Sequence, residues 1–99
     1  MEKQVKDPDW PFADPKNVAA VTTASIVSGK SPILYVSHDE DDGGWQFHTG
    51  DAVDMSEAKL VSLYSVVQRD PTLKELADLP LGWEADRPSV GQAWQRRRQ

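Results

Sequence analysis

The pattern of apolar and polar residues predicts a β-hairpin in the middle of the chain. Residues 32–38 are rich in β-branched and aromatic side chains, and residues 45–49 alternate apolar with polar positions. Between them, residues 39–44 contain four acids followed by two glycines, which is the composition of a turn. The first run is apolar on both faces, so we expect it to be the more central strand of the sheet.

Two shorter runs complete the predicted strands. Residues 18–23 form a β-prone stretch, after which Thr23 is predicted to cap a brief helical turn that stops at Gly29. Near the other end, Gly82 makes a turn and residues 83–87 alternate as the final predicted strand.

The stretch 55–69 fits two interpretations. Apolar side chains recur there at helical spacing, at Leu60, Leu63, Tyr64 and Val67. Residues 60–64 could equally form a buried strand entered from a short turn. The sequence therefore leaves open whether this stretch is one helix or a strand followed by a helix.

A clearer helix start follows at Asp70-Pro71, because aspartate is a good N-cap and proline a good first helical residue. The predicted helix runs from Pro71 to about Asp78, and Leu79-Pro80 ends it. The elements together predict an α+β fold, with a mainly antiparallel sheet of about four or five strands and two or three short helices.

The same pattern predicts one domain. Residues 17–95 are expected to form a single α+β domain, and residues 96–99 a solvated basic tail. Prolines at positions 8, 11 and 15 make residues 1–16 extended, so this segment is predicted to be flexible or loosely docked through Trp10 or Phe12.

Composition narrows the classes of function. The 99 residues include no cysteine, which excludes disulfides, thiolate metal sites and cysteine nucleophiles. No apolar run approaches 18 residues, and the start of the chain lacks the features of a secretory signal. We therefore expect a cytoplasmic protein with no membrane association.

The charge distribution suggests what kind of partner the chain would bind. The net charge is −5, and all sixteen acidic residues precede Arg87, while Arg96, Arg97 and Arg98 follow it. An acidic body repels phosphate backbones, so nucleic-acid binding is not expected. A basic protein is the predicted partner class; the sequence does not predict an oligomeric state.

The acidic turn is the first candidate site, and its residues are Asp39, Glu40, Asp41 and Asp42. With His38 and His48 nearby, a divalent metal is conceivable but weakly supported, because consecutive acids point in different directions and the calcium-loop spacing is absent. We expect a solvated turn that can face a partner. No metal and no cofactor are predicted.

Aromatic residues and one arginine are the other candidates. Trp45, Phe47 and Trp83 are expected in the core, whereas Trp10 and Trp94 are the candidates for exposed or lid-like positions, and Trp94 for partner contact. Arg87 is expected to pair with Glu84, Asp86 or the acidic turn, and is also a candidate for gripping a carboxylate or other anion on a ligand or partner.

Catalytic motifs are absent from the sequence. It has no nucleophile elbow, phosphate-binding glycine loop, His-Glu-x-x-His pattern or dinucleotide fingerprint. We therefore expect a protein that is not an enzyme.

Several local motifs occur in a recognisable order. They are Asn17 with Thr22-Thr23, Ile33 to Val36, Gly44-Trp45-Gln46-Phe47, Asp70-Pro71-x-Leu73, and Leu79-Pro80-x-Gly82-Trp83. The set, spread over roughly residues 15–95, resembles a family of small bacterial domains of unknown function. That family is related to the predicted immunity proteins of polymorphic toxin systems, the group numbered thirty-three.

The resemblance implies a compact cytoplasmic α+β domain with no established activity, and for part of the group a proposed role in binding and neutralising a toxin. Acidic surfaces suit that role because they complement basic toxins. The leading expectation is thus a non-enzymatic protein-binding module, for which the resemblance implies an immunity-like role. The alternative is a small-ligand or metal-binding protein that uses the region of His38, His48 and Arg87.

Overall fold

The computed structural model describes residues 9–52 and 54–99, and the part of the predicted N-terminal segment before residue 9 lies outside them. Six strands form one mixed sheet in these residues, in the order β4-β1-β3-β2-β5-β6. Their bounds are β1 Ala19–Thr23, β2 Tyr35–His38, β3 Trp45–His48, β4 Ala58–Ser62, β5 Trp83–Asp86 and β6 Gln95–Arg98. Two short α-helices, α1 Ala24–Val27 and α2 Leu63–Arg69, and 3-10 segments at Met55–Glu57 and Pro71–Leu76 complete the described elements. The predicted α+β class is confirmed.

The predicted hairpin is present and lies inside the sheet. β2 and β3 pair antiparallel, with Val36 opposite Phe47 and His38 opposite Trp45. β2 also pairs antiparallel with β5, so the more apolar strand is interior; β3 is equally central, and the sheet does not rank the two as predicted. β1 is antiparallel to β4 but parallel to β3, and that is the one parallel pairing among the described strands.

The turn after β1 differs in one detail from the prediction. Thr23 has extended backbone angles at the N-cap of α1, but its side chain makes no capping hydrogen bond. The helix does end before Gly29, whose φ of 82° places it in the left-handed region that favours glycine. The Gly29 and Lys30 N–H groups then donate to the carbonyls of Ile26 and Ser25.

The ambiguous stretch is a strand followed by a helix. β4 follows the 3-10 turn at Met55–Glu57, and Ser62 then caps α2 by accepting a hydrogen bond from the Ser65 N–H at 3.1 Å. The helical stripe consists of Leu63, Val66 and Val67, all buried. Leu60 is not part of the hydrophobic core. It lies in the edge strand β4 and is 73% exposed.

The helix predicted at Asp70-Pro71 forms as a 3-10 helix, Pro71–Leu76. The Asp70 carboxylate accepts from the Thr72 N–H at 3.1 Å, which satisfies one of the free donors at the start of the helix. Leu73 and Leu76 are buried against α2 and the sheet.

The core lies on one face of the sheet, beneath the helices. It consists of Trp10, Phe12, Ala20, Ile26, Ile33, Val36, Trp45, Phe47, Leu63, Val66, Val67, Leu73, Leu76, Leu79 and Ala85. Trp45 and Phe47 are therefore core residues as predicted, and Trp83 packs against the core half-buried. Trp10 is also in the core rather than exposed or lid-like: its ring contacts Phe12 at 5.1 Å, and Phe12 meets Trp45 edge-on at 5.3 Å.

The basic end of the chain is a strand of the sheet. Residues 95–98 form β6 and pair antiparallel with β5, so β6 rather than β5 is the final strand. All four of its side chains are exposed, as a solvated segment would have them, but its backbone is hydrogen-bonded into the sheet. The local sequence did not indicate this, because a run of arginines has no alternation to reveal a strand. No helix within residues 9–52 and 54–99 is long and apolar enough to cross a membrane.

Candidate functional site

The sheet has one face that the helices leave uncovered, here called the open face. Register places on it the side chains of Val21, Tyr35, Gln46, His48 and Leu60, all opposite in orientation to the core residues of the same strands. None of the described core residues comes from this face. Exposure varies across it: Leu60 is 73% exposed, whereas His48 is buried.

The hairpin loop, Asp39–Gly44, rises at one end of the open face. It closes through two backbone hydrogen bonds, from Asp39 N–H to the Gly44 carbonyl at 2.8 Å and from Gly43 N–H to the Asp39 carbonyl at 2.9 Å. Gly43 has a φ of 72°, and the Asp42 carboxylate accepts from the Gly44 N–H at 2.8 Å. The turn chemistry predicted from the sequence is thus the chemistry that shapes the loop.

The four loop acids do not converge, as expected from their being consecutive. Asp39 and Asp42 line a pocket that opens beside the starts of β1 and β3, and Asp14 lines it too. Glu40 instead lies against Gly82, at 3.0 Å from where a Cβ on that glycine would be, and Asp41 is exposed.

The described residues around these carboxylates are neutral hydrogen-bond donors. Among the described residues, no lysine or arginine lies within salt-bridge distance of Asp14, Asp39, Glu40, Asp41 or Asp42. Neutral donors hold the acids that line the pocket: the Trp45 indole N–H donates to Asp14 at 3.1 Å, and Gln46 Nε2 donates to Asp39 at 2.6 Å. Within residues 9–52 and 54–99, neutral groups therefore hold the carboxylates of the pocket, while Glu40 shares a second pocket with Arg98.

A hydrogen-bonded chain runs from the loop across the open face. Because Gln46 gives its amide N–H to the Asp39 carboxylate, its Oε1 faces His48 and accepts from His48 Nε2 at 2.9 Å. His48 is 5% exposed. Burial lowers the pKa of His48 below its ordinary value and outweighs the opposite influence of Asp39. The imidazole of His48 is therefore uncharged at neutral pH and ends this chain of hydrogen bonds as a neutral donor.

Tyr35 and Glu84 form a second polar contact on the same face. The Tyr35 hydroxyl donates to Glu84 Oε1 at 2.8 Å. Burial, together with this hydrogen bond to a carboxylate, raises the pKa of Tyr35 to about 12. The phenol stays protonated under ordinary conditions and has no features of a catalytic base.

The two histidines, considered together as weak metal ligands, are not brought together. His38 lies opposite Trp45 at the loop end of the hairpin, and its ring stacks on the indole at 3.9 Å on the core face. His38 Nδ1 donates to the Leu79 carbonyl at 2.7 Å, whereas His48 lies opposite Tyr35 on the open face. Within the described residues, no group of three or more histidine or acidic side chains is arranged to hold a metal ion.

Arg87 has a different environment from the one predicted. Its partner is Asp70, at 2.6 Å, and not Glu84, Asp86 or the acidic turn. The guanidinium also donates to the Ile33 carbonyl and to the Thr72 hydroxyl, and its side chain is only 1% exposed. The sequence could not indicate this pairing, because the fold alone brings the end of β5 to the start of the 3-10 helix. Arg87 lies in the interior, apart from the loop acids.

Trp94, the aromatic candidate for partner contact, covers this buried arginine. Its ring lies over the Arg87 guanidinium with 4.2 Å between the ring centroid and Cζ. Trp94 is half-buried, and its indole N–H is the one buried side-chain polar group without a partner among the described residues. The structure thus places Trp94 and Arg87 together, away from the pocket beside the loop.

Sequence reasoning missed the apolar side of the pocket and one of its acids. The residues that line the whole pocket are Asp14, Val18, Ala19, Val21, Asp39, Asp42, Gly43, Gly44, Trp45, Gln46 and Leu60. Leu60 had no clear signal of its own: Lys59 and Leu60 are both exposed in β4, so burial there does not alternate, and the helical spacing of Leu60 and Leu63 pointed to a different structure. Asp14 had no signal, since it reaches the pocket through the docking of Trp10 and Phe12.

Comparison with known proteins adds no identification. No protein-family model, no curated protein and no solved structure matches this chain. The family resemblance drawn from the sequence motifs therefore stays a prediction.

Proposed function

We propose that this domain is a non-enzymatic protein-binding module that binds a basic protein through the loop end of its open face. The observation that carries the proposal is the group of five carboxylates, Asp14 and Asp39 to Asp42, which meet no cation among the described residues. Unpaired like charges cost folding energy, so the grouping of Asp14, Asp39 and Asp42 around one pocket, with Glu40 and Asp41 in the same loop, is better explained by contact with an external cation.

The geometry of the open face supports binding rather than catalysis. Two of its titratable groups are held in their neutral forms: the pKa of Tyr35 is raised to about 12, and the pKa of His48 is lowered by burial. A general acid or base needs a pKa near the working pH and reach to a reacting atom. In the immunity-like form of the proposal, the basic partner is a toxin that the domain neutralises by direct contact.

The experiment compares three baits in affinity capture from native lysate at low and moderate salt. The first is the unaltered chain, and the second is the loop variant, Glu40→Gln, Asp41→Asn and Asp42→Asn. The third is a charge-matched control, Asp51→Asn, Glu57→Gln and Glu75→Gln, which neutralises three exposed acids outside the loop. Asparagine at position 42 can still accept from the Gly44 N–H, so the loop should keep its shape.

We expect one basic protein to be retained by the unaltered chain and by the control, to be released as salt rises, and to be lost from the loop variant. Equal retention by the loop variant and the control would contradict the proposal, because net charge rather than the loop would then explain capture. Failure to retain any basic protein at low salt would contradict it as well.

A further inference from the structure

The open face has a groove beside the hairpin loop with one apolar wall, here called the loop groove. Val21 and Leu60 form that wall from the neighbouring strands β1 and β4, where they are directly opposite one another. The groove has a volume of about 360 Å³. Leu60 is 73% exposed although it lies in the middle of a strand, and so its side chain is available to a partner.

The other wall of the groove is formed by carboxylates. Asp14, Asp39 and Asp42 line it, and each accepts a hydrogen bond from a neutral donor in the chain. These contacts fix the carboxylates before any partner arrives, which reduces the entropy lost on binding. The groove therefore offers an apolar surface and fixed negative charge within one pocket.

Few chemical groups complement both walls at once. A purely apolar side chain would remove water from the carboxylates without replacing it, which costs free energy. A compact metal ion would leave the Leu60 side chain uncovered and would find no three-ligand group among the described residues. A long side chain with a methylene stem and a cationic head can cover Leu60 with its stem and meet the carboxylates with its head.

We propose that the loop groove receives an arginine or lysine side chain of the partner protein. This inference rests on the proposed function and specifies how the partner is recognised. A side chain of a protein fits better than a free small cation because the open face continues beyond the groove, and the exposed Asp41 and Asp42 of the loop add negative charge at its rim. The one basic side chain would anchor the contact, and the surrounding acids would guide the approach.

The test is a heteronuclear NMR titration of the full chain with two blocked amino acids, N-acetyl-arginine amide and N-acetyl-citrulline amide. Citrulline has the same length as arginine but no charge. We expect saturable shifts at the amides of Val21, Gln46 and Leu60 and at the Trp45 indole with the arginine compound, and no saturable shifts with citrulline. Equal shifts with both compounds, or arginine shifts spread over all exposed acids, would overturn the inference.

Two variants measure separately how much the apolar wall and the acidic wall of the groove contribute to binding. Leu60→Thr removes the apolar wall at constant charge and suits an edge strand, so it should weaken arginine binding about two- to fourfold. Asp39→Asn keeps an acceptor for Gln46 but removes one charge, and should weaken binding roughly two- to fivefold. If Leu60→Thr leaves the affinity unchanged, attraction is purely electrostatic and the groove inference fails.

The remaining outcomes distinguish this inference from the proposed function. If spermidine saturates the same amides more tightly than the blocked arginine, the groove takes a free polyamine and the side-chain inference is overturned. If the loop variant loses its protein partner while the Leu60→Thr variant retains it fully, the proposed function stands and the groove inference fails. If the loop variant and its charge-matched control capture equally, the proposed function itself fails.

Discussion

Two regions of this domain contain acidic side chains in opposite circumstances. On the side of β5 and β6, the acids Asp70, Asp78, Glu84 and Asp86 each meet an arginine, from Arg87, Arg96 or Arg97. At the hairpin loop, Asp14 and Asp39 to Asp42 meet no cation among the described residues. The difference shows that net charge does not reveal how acids are placed: the first group is paired with arginines, and the second is not paired with any cation among the described residues.

Within the first region, burial separates the ion pairs further. Arg87 and Asp70 are 1% and 18% exposed, while Arg97 and Asp86 are 47% and 42% exposed. Water screens the exposed pair, so the two pairs should differ several-fold in their contribution to stability even though their lengths are similar. The predictions below test this gradient from the largest effect to the smallest.

The largest effect is expected from Arg87→Met. Removing the guanidinium leaves Asp70 partly buried without its cation and takes two N–H donors from the Ile33 carbonyl. We expect the free energy of unfolding to fall by about 3–5 kcal/mol, measured by urea denaturation. If this variant does not fold, Arg87→Lys serves instead. Lysine keeps the charge but lacks the planar guanidinium, so the free energy of unfolding should lie between those of the unaltered chain and Arg87→Met. A loss below about 0.5 kcal/mol would mean that the buried pair behaves like a surface pair.

A smaller effect is expected from Arg97→Gln, compared with the loop double variant Asp41→Asn and Asp42→Asn. Arg97 contacts Glu84 and Asp86 at the surface, so its loss should lower the free energy of unfolding slightly at low salt and by less at high salt. The loop variant should be neutral or slightly stabilising at low salt, because it relieves repulsion. Urea denaturation at two salt concentrations measures both. A loop variant that is destabilised as much as Arg97→Gln would remove the distinction between the two regions.

The smallest effect concerns His48, the group of the acidic end that could supply a counter-charge by protonation. Because burial lowers the pKa of His48, the unfolded chain binds this proton more readily than the folded one. The contribution of His48 to stability is therefore complete above the unfolded pKa of roughly 6.5 and declines as the pH falls below it.

NMR titration of the ring protons should give a His48 pKa below the ordinary value. His48→Gln should flatten the dependence of stability on pH between about 5 and 7. The His38→Gln variant is the matched control, since it removes the other imidazole of the chain. A His48 ring that titrates at or above the ordinary value would show that Asp39, rather than burial, dominates its environment.

The parts of the fold that were predictable are those with short-range causes. The Asp/Gly turn between two β-prone runs specifies the hairpin, and Asp70-Pro71 specifies a helix start within two residues. The 55–69 stretch was undecided, because the apolar spacing of a helix and of a strand followed by a helix coincide over so short a length. Only the edge position of β4, which comes from pairing with β1, shows that Leu60 faces solvent.

The acidic part of the candidate site was predictable from local sequence, and the apolar part was not. Asp39 and Asp42 were identified because acids in a turn are visible locally, but the opposite wall of the groove comes from β1 and β4, which lie far from the loop in sequence. The buried pairing of Arg87 with Asp70, and the position of Trp94 over it, likewise depend on tertiary contacts. Pairing between ionic groups that are distant in sequence has no local signal. Glu84 and Asp86 were predicted as partners of Arg87 because they are its neighbours in sequence.

The parallel pairing of β1 with β3 has a consequence for how the chain folds. β1 is the first described strand, yet both of its neighbours, β3 and β4, are made later, and Ala20 finds its partners at Trp45 and Val61. The hairpin of β2 and β3 can close by itself, whereas β1 must wait for two distant segments to surround it. We therefore expect the hairpin to form early and the seating of β1 to limit the rate of folding, since closing long loops precedes the gain from their contacts. The apolar wall of the loop groove would then be among the last features of the molecule to be completed.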